Sequence, residues 1–482
     1  MECQILVLPQ QKQLLVSHGT NLMKALRDAG LGIDAPCGGK GTCGKCAVTV
    51  NGKTVPSCSY RVMSDITVVL PEFGQDTILT AGMMGQVAAD PVQPGYLAAI
   101  DIGTTTVVCM LMDDTGKKLA VKSMANPQGP WGADVISRIQ HAQKGQREVL
   151  TDVVRQGLQT LLEDSCVEAG IAMEQIGVIS VVGNSCMQQL FLGMEVDNLA
   201  SVPFAPVITR AEAVDAAAYF PACGNAKLLI VPDIAGFVGA DTMGCILAEK
   251  LYEAKDTVLM VDIGTNGELV LAHQGRLAAC STAAGPALEG GNISCGMRAA
   301  PGAIDHIWRG GFSTVGGVKA KGICGSGLVD AAAVMLEEGV MNFRGRVLTP
   351  EHTYTVTPGV TLTQDDIRQL QMAKGAIAAG IQLLTEHMGL GLEAIDRVIL
   401  AGAFGSFLNA DNACRIGLLP EELAGKIVAA GNIALSGARA LAMDKNLLPL
   451  TDVLAGQIEA VELAQLPQFN MTFAENMLFA ED

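Results

Sequence analysis

One pattern occurs twice in this chain. Tyr96-Leu-Ala-Ala-Ile-Asp101-Ile-Gly103-Thr104-Thr105-Thr106-Val-Val returns, 161 residues later, as Thr257-Val-Leu-Met-Val-Asp262-Ile-Gly264-Thr265-Asn266-Gly267-Glu-Leu-Val. Each copy is an apolar run, then Asp-Ile-Gly-Thr, then a second apolar run. A match over this distance marks an internal duplication. Each copy predicts two strands joined by a tight turn, with the Asp beside main-chain N–H groups and hydroxyls. Two such hairpins facing each other would clamp a nucleotide. Glycine lets phosphate approach the backbone, Thr supplies O–H and N–H donors, and Asp holds Mg²⁺ or orients water. One copy alone is explained equally well by an ordinary β-turn. The duplication is what points to a site.

A second pattern lies near the start. Cys37, Cys43, Cys46 and Cys58 are spaced C-x5-C-x2-C-x11-C, with glycines between the first three. Four thiolates, two per iron, are the ligand set of a 2Fe–2S cluster, and glycine lets the backbone wrap closely around it. Other readings fit less well. Gly39 to Cys46 spells G-x-x-x-x-G-K but puts Cys46 where a phosphate loop needs Ser or Thr. Gly39, Gly41 and Gly44 spell G-x-G-x-x-G without a strand before or a helix after. Zinc sites usually pair two short Cys knuckles, and only one is present. Ala47 to Val55 predicts a hairpin turning at Asn51-Gly52, which returns the chain towards Cys46 and delivers Cys58.

At 482 residues the chain has room for two or three cores. Apolar residues make 49% of it, charged ones 17%, and mean hydropathy is +0.35. No uninterrupted apolar run approaches 18 residues, so no membrane span is expected. No secretory signal opens the chain, which leads to a cytoplasmic expectation. There a disulfide framework is disfavoured, and the ten remaining cysteines read as small buried hydrophobes. A net charge of −17 argues against nucleic acid as a partner.

Residues 4–8 and 13–17 predict two strands joined by Pro9-Gln-Gln-Lys12. Thr20 is expected to cap a helix over about 21–29, with Leu22, Ala25, Leu26 and Ala29 on one face and Gly30 ending it. With a last strand at Ile66–Leu70, residues 1–71 predict a ββαβ grasp. Residues 72–95, rich in Gly and Pro, read as a linker spanning roughly 27 Å root-mean-square if flexible. Further glycine junctions follow apolar strands: Gly183-Asn184-Ser185, Gly236 to Asp241, Gly322 to Gly327, and Gly402-Ala403-Phe404-Gly405. At the last of these an adenine ring would lie against bare backbone. Singly, such glycines are explained as often by helix–sheet packing. A helix over about 366–388, opened by Thr363 and Asp366, is expected to be structural.

With these residues in hand, the chain resembles the reductive activators of corrinoid proteins. The cysteine run, both Asp-Ile-Gly-Thr motifs, Cys280-Ser-Thr-Ala-Ala-Gly-Pro286, Gly322-Ile-Cys-Gly-Ser-Gly327 and Ala401-Gly-Ala-Phe-Gly405 match that family's pattern in order, over nearly the whole chain. The resemblance implies a mixed α/β and α+β architecture. A small β-grasp ferredoxin-like domain (1–71) and a linker (72–95) would precede a duplicated ribonuclease-H-like ATPase domain of the actin/Hsp70/sugar-kinase type, in subdomains 96–255 and 256–482. It implies Cys37, Cys43, Cys46 and Cys58 as ligands of a 2Fe–2S cluster. Asp101 and Asp262 would be the catalytic carboxylates for ATP with Mg²⁺. Gly103, Thr104, Thr105, Gly264, Thr265, Asn266 and Gly267 would line the phosphates, and Gly402, Ala403 and Gly405 the adenosine. It implies a corrinoid methyl-carrier protein as partner, an upstream low-potential electron donor, and a homodimer where the dimerising middle domain is kept. The work expected is ATP-dependent reduction of Co(II) to Co(I). The cysteine spacing is short for the family, and the middle domain of longer members is expected to be missing. The alternative is a small-molecule kinase under a ferredoxin-type redox domain, with Glu268 or Glu289 as its base.

Overall fold

Each copy of the repeat builds a sheet of its own, and the two sheets share a five-strand pattern. In the computed structural model, residues 2–8, 11–29, 46–70, 89–132 and 134–480 are described. Cys37, Cys43, the expected helix stop at Gly30 and most of the expected linker lie outside them.

In the N-terminal part β1 (Glu2–Leu8) and β2 (Lys12–Ser17) pair antiparallel. The short β3 (Thr20–Asn21) leads into a helix over Leu22–Asp28. The hairpin β4 (Ala47–Val50) and β5 (Lys53–Pro56) turns through Asn51 and Gly52, both at positive φ (46° and 82°), as Asn-Gly predicts. After β6 (Arg61–Val62), which pairs with β3, strand β7 (Ile66–Val69) lies parallel to β1, giving the order β2-β1-β7-β4-β5. Ile5, Val7, Val48 and Val68 alternate inward and bury against Leu22 and Leu26 of the helix. The helix cap differs from expectation. Asn21 Oδ1 accepts from Lys24 N at 3.1 Å, while the Thr20 hydroxyl donates back to Ser17 O. Asn caps as well as Thr, and pairing of Thr20 with Val62 delays the helix by a residue.

The first lobe holds β8 (Tyr96–Ile102), β9 (Thr106–Met112), β10 (Lys118–Ala125), β11 (Ile176–Gly183), β12 (Glu212–Asp215) and β13 (Lys227–Ile230), ordered β10-β9-β8-β11-β13-β12. The second holds β14 (Val258–Ile263), β15 (Gly267–His273) and β16 (Arg276–Thr282), then a small sheet of β17 (Ala303–Trp308), β18 (Gly311–Thr314) and β19 (Gly322–Ile323). The hairpin β20 (Thr353–Thr357) and β21 (Val360–Thr363) follows, and then β22 (Arg397–Ala401), β23 (Ile427–Gly431) and β24 (Glu459–Ala460). Its main sheet runs β23-β22-β14-β15-β16-β24. In each lobe the motif hairpin and the next strand form an antiparallel meander, and the motif's first strand pairs parallel with a later one (β8 with β11, β14 with β22). The duplication read from thirteen residues thus extends to five strands. The expected helix spans Gln364–His387, with Thr363 and Asp366 in a reciprocal capping box.

The lobes share one apolar core in which Leu97, Ala99 and Val182 meet Val258, Met260 and Ile399. Through it run two helices, Ala240–Ala248 and Ile433–Met443, the latter also lying over β8 and β11. They cross glycine on glycine: a Cβ on Gly437 would stand 2.0 Å from Gly244 O. Ahead of β8, Asp90 is tied to the second lobe, its N–H donating to Met443 O (2.7 Å) and its O accepting from Lys445 N (2.9 Å). Among the described residues no helix is long and apolar enough to cross a membrane.

Candidate nucleotide cleft and cluster loop

Asp101 and Asp262 occupy equivalent places near the ends of β8 and β14, the central strands of their sheets. Both are partly exposed. Burial nevertheless pushes each carboxyl up to about 7. Asp241, in the first turn of the Ala240–Ala248 helix, adds like charge to both and is itself pushed up by burial to about 6. Burial also drives Glu268, two residues past the second motif turn, well above its ordinary range, with Asp241 and Asp262 adding to the push. Carboxylates packed this way call for a cation or for protons.

Each motif turn is held by its own scaffold. In the first, Asn126 Nδ2 donates to Gly103 O (2.8 Å), and the buried Arg138 donates to Thr104 O (2.5 Å) and Gly132 O (3.1 Å). Burial pulls that guanidinium down to about 10, which leaves it charged. Asn184, which caps the Ser185–Leu192 helix through Met187 N, donates to Thr104 Oγ1 at 2.9 Å. Gly103 admits no side chain, since a Cβ would meet Thr106 O at 2.6 Å. In the second turn Gly264 N donates to Asn266 O (2.9 Å). A Cβ on Gly267 would lie 2.7 Å from Thr282 Oγ1, a buried hydroxyl without a partner among the described residues.

Two contacts join the halves. Asn432 Nδ2, from the second half, donates to Asp101 Oδ2 at 2.8 Å, while its Oδ1 caps the Ile433–Met443 helix through Leu435 N. Glu289 Oε2 accepts from Thr105 Oγ1 (2.9 Å) and from Thr265 Oγ1 (3.0 Å). Thr105 and Thr265 therefore converge on one atom. Gly402 and Ala403 open the short helix Gly402–Phe407 after β22, and Gly405 lies within it. Gly402 has φ +79°, and a Cβ there would sit 2.6 Å from Asp262 Oδ1, so the expected adenosine strip abuts the second motif. Among the described residues no group of three or more Asp, Glu, His or Cys is spaced to hold a metal unaided. A groove of about 680 Å³ elsewhere on the second lobe, lined by Arg344, Arg368, Met372 and Leu478 among others, includes none of these residues.

Sequence reading missed Asn126, Arg138 and Asn432, and noted Asn184 only as a turn. Asn432 had a signal of the local kind: Gly-Asn between a strand and an apolar helix is a cap. Nothing local says that the same amide reaches Asp101, 331 residues away.

At the other end of the chain Ser57 N donates to Cys46 O at 2.9 Å, and Asn21 Nδ2 to Cys58 O at 2.7 Å. The hairpin thus carries Cys58 back beside Cys46, as expected. Ser57 Oγ is buried with no partner among the described residues, a donor of the kind that serves a cluster sulfur. These residues fit a 2Fe–2S group. Cys37 and Cys43 lie outside the described residues.

Known proteins resemble the chain along its length. Residues 5–68 match a model of the 2Fe–2S iron–sulfur cluster binding domain, 96–254 the RACo middle region, and 256–482 the C-terminal domain of RACo, the ASKHA domain. The middle match corrects the expectation that a middle segment is missing: residues 96–254, here the first lobe, are that segment. The corrinoid activation enzyme RamQ of Eubacterium limosum is 32% identical, over 81% of this chain and 71% of the relative. A [Co(II) methylated amine-specific corrinoid protein] reductase of Methanosarcina barkeri is 28% identical, over 76% of this chain and 74% of the relative. A solved reductive activator for corrinoid, iron–sulfur protein superposes with TM-score 0.74 at 28% identity, covering 99% of this chain and 98% of its own. The chain belongs to the RACo family of ATP-dependent reductive activators of corrinoid proteins, with a 2Fe–2S ferredoxin-type domain ahead of an ASKHA domain.

Proposed function

We propose that this protein uses ATP at the cleft between Asp101 and Asp262 to drive reduction of a corrinoid methyl-carrier protein from Co(II) to Co(I). The observation that carries the reading is the convergence of both duplicated hairpins on one cleft, in a chain that also ties Cys46 to Cys58. Cys37, Cys43, Cys46 and Cys58 hold the 2Fe–2S cluster, which when bound supplies the single electron. Plant-type clusters sit near about −400 mV; a shortfall of about 100 mV corresponds to roughly 2.3 kcal/mol per electron, well within the reach of nucleotide binding and hydrolysis.

The protein's own residues do the rest. Asp101 and Asp262 hold Mg²⁺ or the attacking water. Thr104, Thr105, Thr265 and Asn266 donate to phosphate oxygens, with Gly103, Gly264 and Gly267 clearing the approach. Gly402, Ala403 and Gly405 receive the adenosine. Closing the lobes around the nucleotide changes the grip on the corrinoid partner. An upstream low-potential donor protein reloads the cluster, as the family resemblance implies; the assembly is read as a homodimer and the setting as the cytoplasm. The kinase alternative loses ground because the relatives that match along most of the chain are named as corrinoid activators and reductases.

The test is anaerobic absorbance of a Co(II) corrinoid protein mixed with this protein and a low-potential reductant, with and without ATP. Growth of the Co(I) band only with ATP supports the reading. Cys43→Ala should abolish reduction and the cluster absorbance yet still bind nucleotide. Asp262→Ala should keep the cluster absorbance and lose ATP-dependent reduction. Full ATP-driven activity in Asp262→Ala would sink the cleft assignment.

A further inference from the structure

Glu289 has a place in the cleft that the reading above leaves unused. It ends a single turn, Pro286–Glu289, that follows β16 and is closed by Gly290 at φ +80°. One oxygen, Oε2, accepts both from Thr105 Oγ1 of the first hairpin and from Thr265 Oγ1 of the second, at 2.9 and 3.0 Å. Oε1 lies on the Gly264 side, 3.6 Å from where a Cβ of that glycine would be. Thr265 is buried, with 8% of its surface exposed.

An anionic oxygen taking one O–H from each half of a duplicated phosphate motif is in the position of a phosphate oxygen. A threonine hydroxyl has only one proton to donate. Phosphate and carboxylate therefore compete for the same two donors, one for one. Their charges also repel if both stay. We infer that Glu289 is an internal phosphate mimic, a clasp that holds the two hairpins together and that the terminal phosphate of ATP must displace. This rests on the nucleotide reading above and adds a competitor to it. The clasp is released by the group that reaches both threonines, so ATP opens it and ADP, one phosphate shorter, leaves it shut. Part of the binding energy of the triphosphate goes into moving residues 286–289 instead of into affinity.

The experiment is calorimetric titration of the full chain with Mg²⁺ and a non-hydrolysable ATP analogue, and separately with ADP, in the unmodified protein, Glu289→Gln and Glu289→Ala. Glu289→Gln keeps the shape and one carbonyl acceptor and guards against a folding defect, which thermal unfolding of each variant reports directly. Loss of two charge-assisted hydrogen bonds from the competing state should tighten the analogue about tenfold in Glu289→Ala and less in Glu289→Gln. ADP affinity should stay unchanged. Analogue affinity unchanged or weakened in both variants overturns the clasp, as does equal tightening of ADP. If the unmodified protein binds neither nucleotide, the nucleotide reading falls and takes the clasp with it. Binding without tightening removes the clasp alone.

Discussion

Gly402 shows how little room the cleft leaves. Its φ of +79° already favours glycine, and any side chain would press a carbon to 2.6 Å from Asp262 Oδ1. Gly402→Ala should cost about 1–2 kcal/mol of stability from backbone strain alone. It should also weaken Mg²⁺-nucleotide binding by about tenfold or more, because the carboxylate must rotate away. Thermal unfolding and nucleotide titration of the same variant separate the two effects. If binding were unchanged while stability fell, the adenosine strip would not share a wall with Asp262. Asn432 makes the complementary point: one amide both caps a helix and aligns Asp101.

Among the elements, those with a period or a cap of their own were readable in advance. The paired strands, the Asn51-Gly52 turn and the Gln364–His387 helix each carry a local signature that tertiary packing then reinforced. The start of the first helix slipped by a residue because Thr20 and Asn21 are both good caps, and the pairing of β3 with β6 chose between them. The ties of Asn432 to Asp101 and of Glu289 to two hairpins have no such signature, since they exist only once the lobes meet. Lys374 is another such tie. It is buried within the long helix, and its Nζ donates to Asn476 O and Leu478 O (2.6 Å each) and to Gly417 O (3.5 Å). Burial pulls its ammonium from 10.5 down to about 7. Between those values the unfolded chain binds more protons than the folded one, so this group's contribution to stability rises with pH. The unmodified protein should gain stability from pH 7 to pH 9 relative to Lys374→Met, read from urea midpoints. A difference independent of pH would mean that the three carbonyls keep the ammonium fully charged.

For the whole molecule, the crossing of Ala240–Ala248 with Ile433–Met443 sets what the lobes are able to do. Gly437→Ala would drive a methyl to 2.0 Å from Gly244 O. The two helices must then separate through the shared core, at about 1–3 kcal/mol by analogy with overpacked cores. Thermal unfolding should register that loss, and ATP-dependent Co(I) formation should slow with it while the cluster absorbance stays unchanged. The crossing also bears on how motion is paid for in structure. Where side chains interlock, two bodies shift by jumping between discrete rotamer packings. Here main chain rides on main chain, with no interdigitating teeth at the closest point. Such a seam holds no rotamers of its own to switch, so any turn of the lobes is set by the packed apolar core around it.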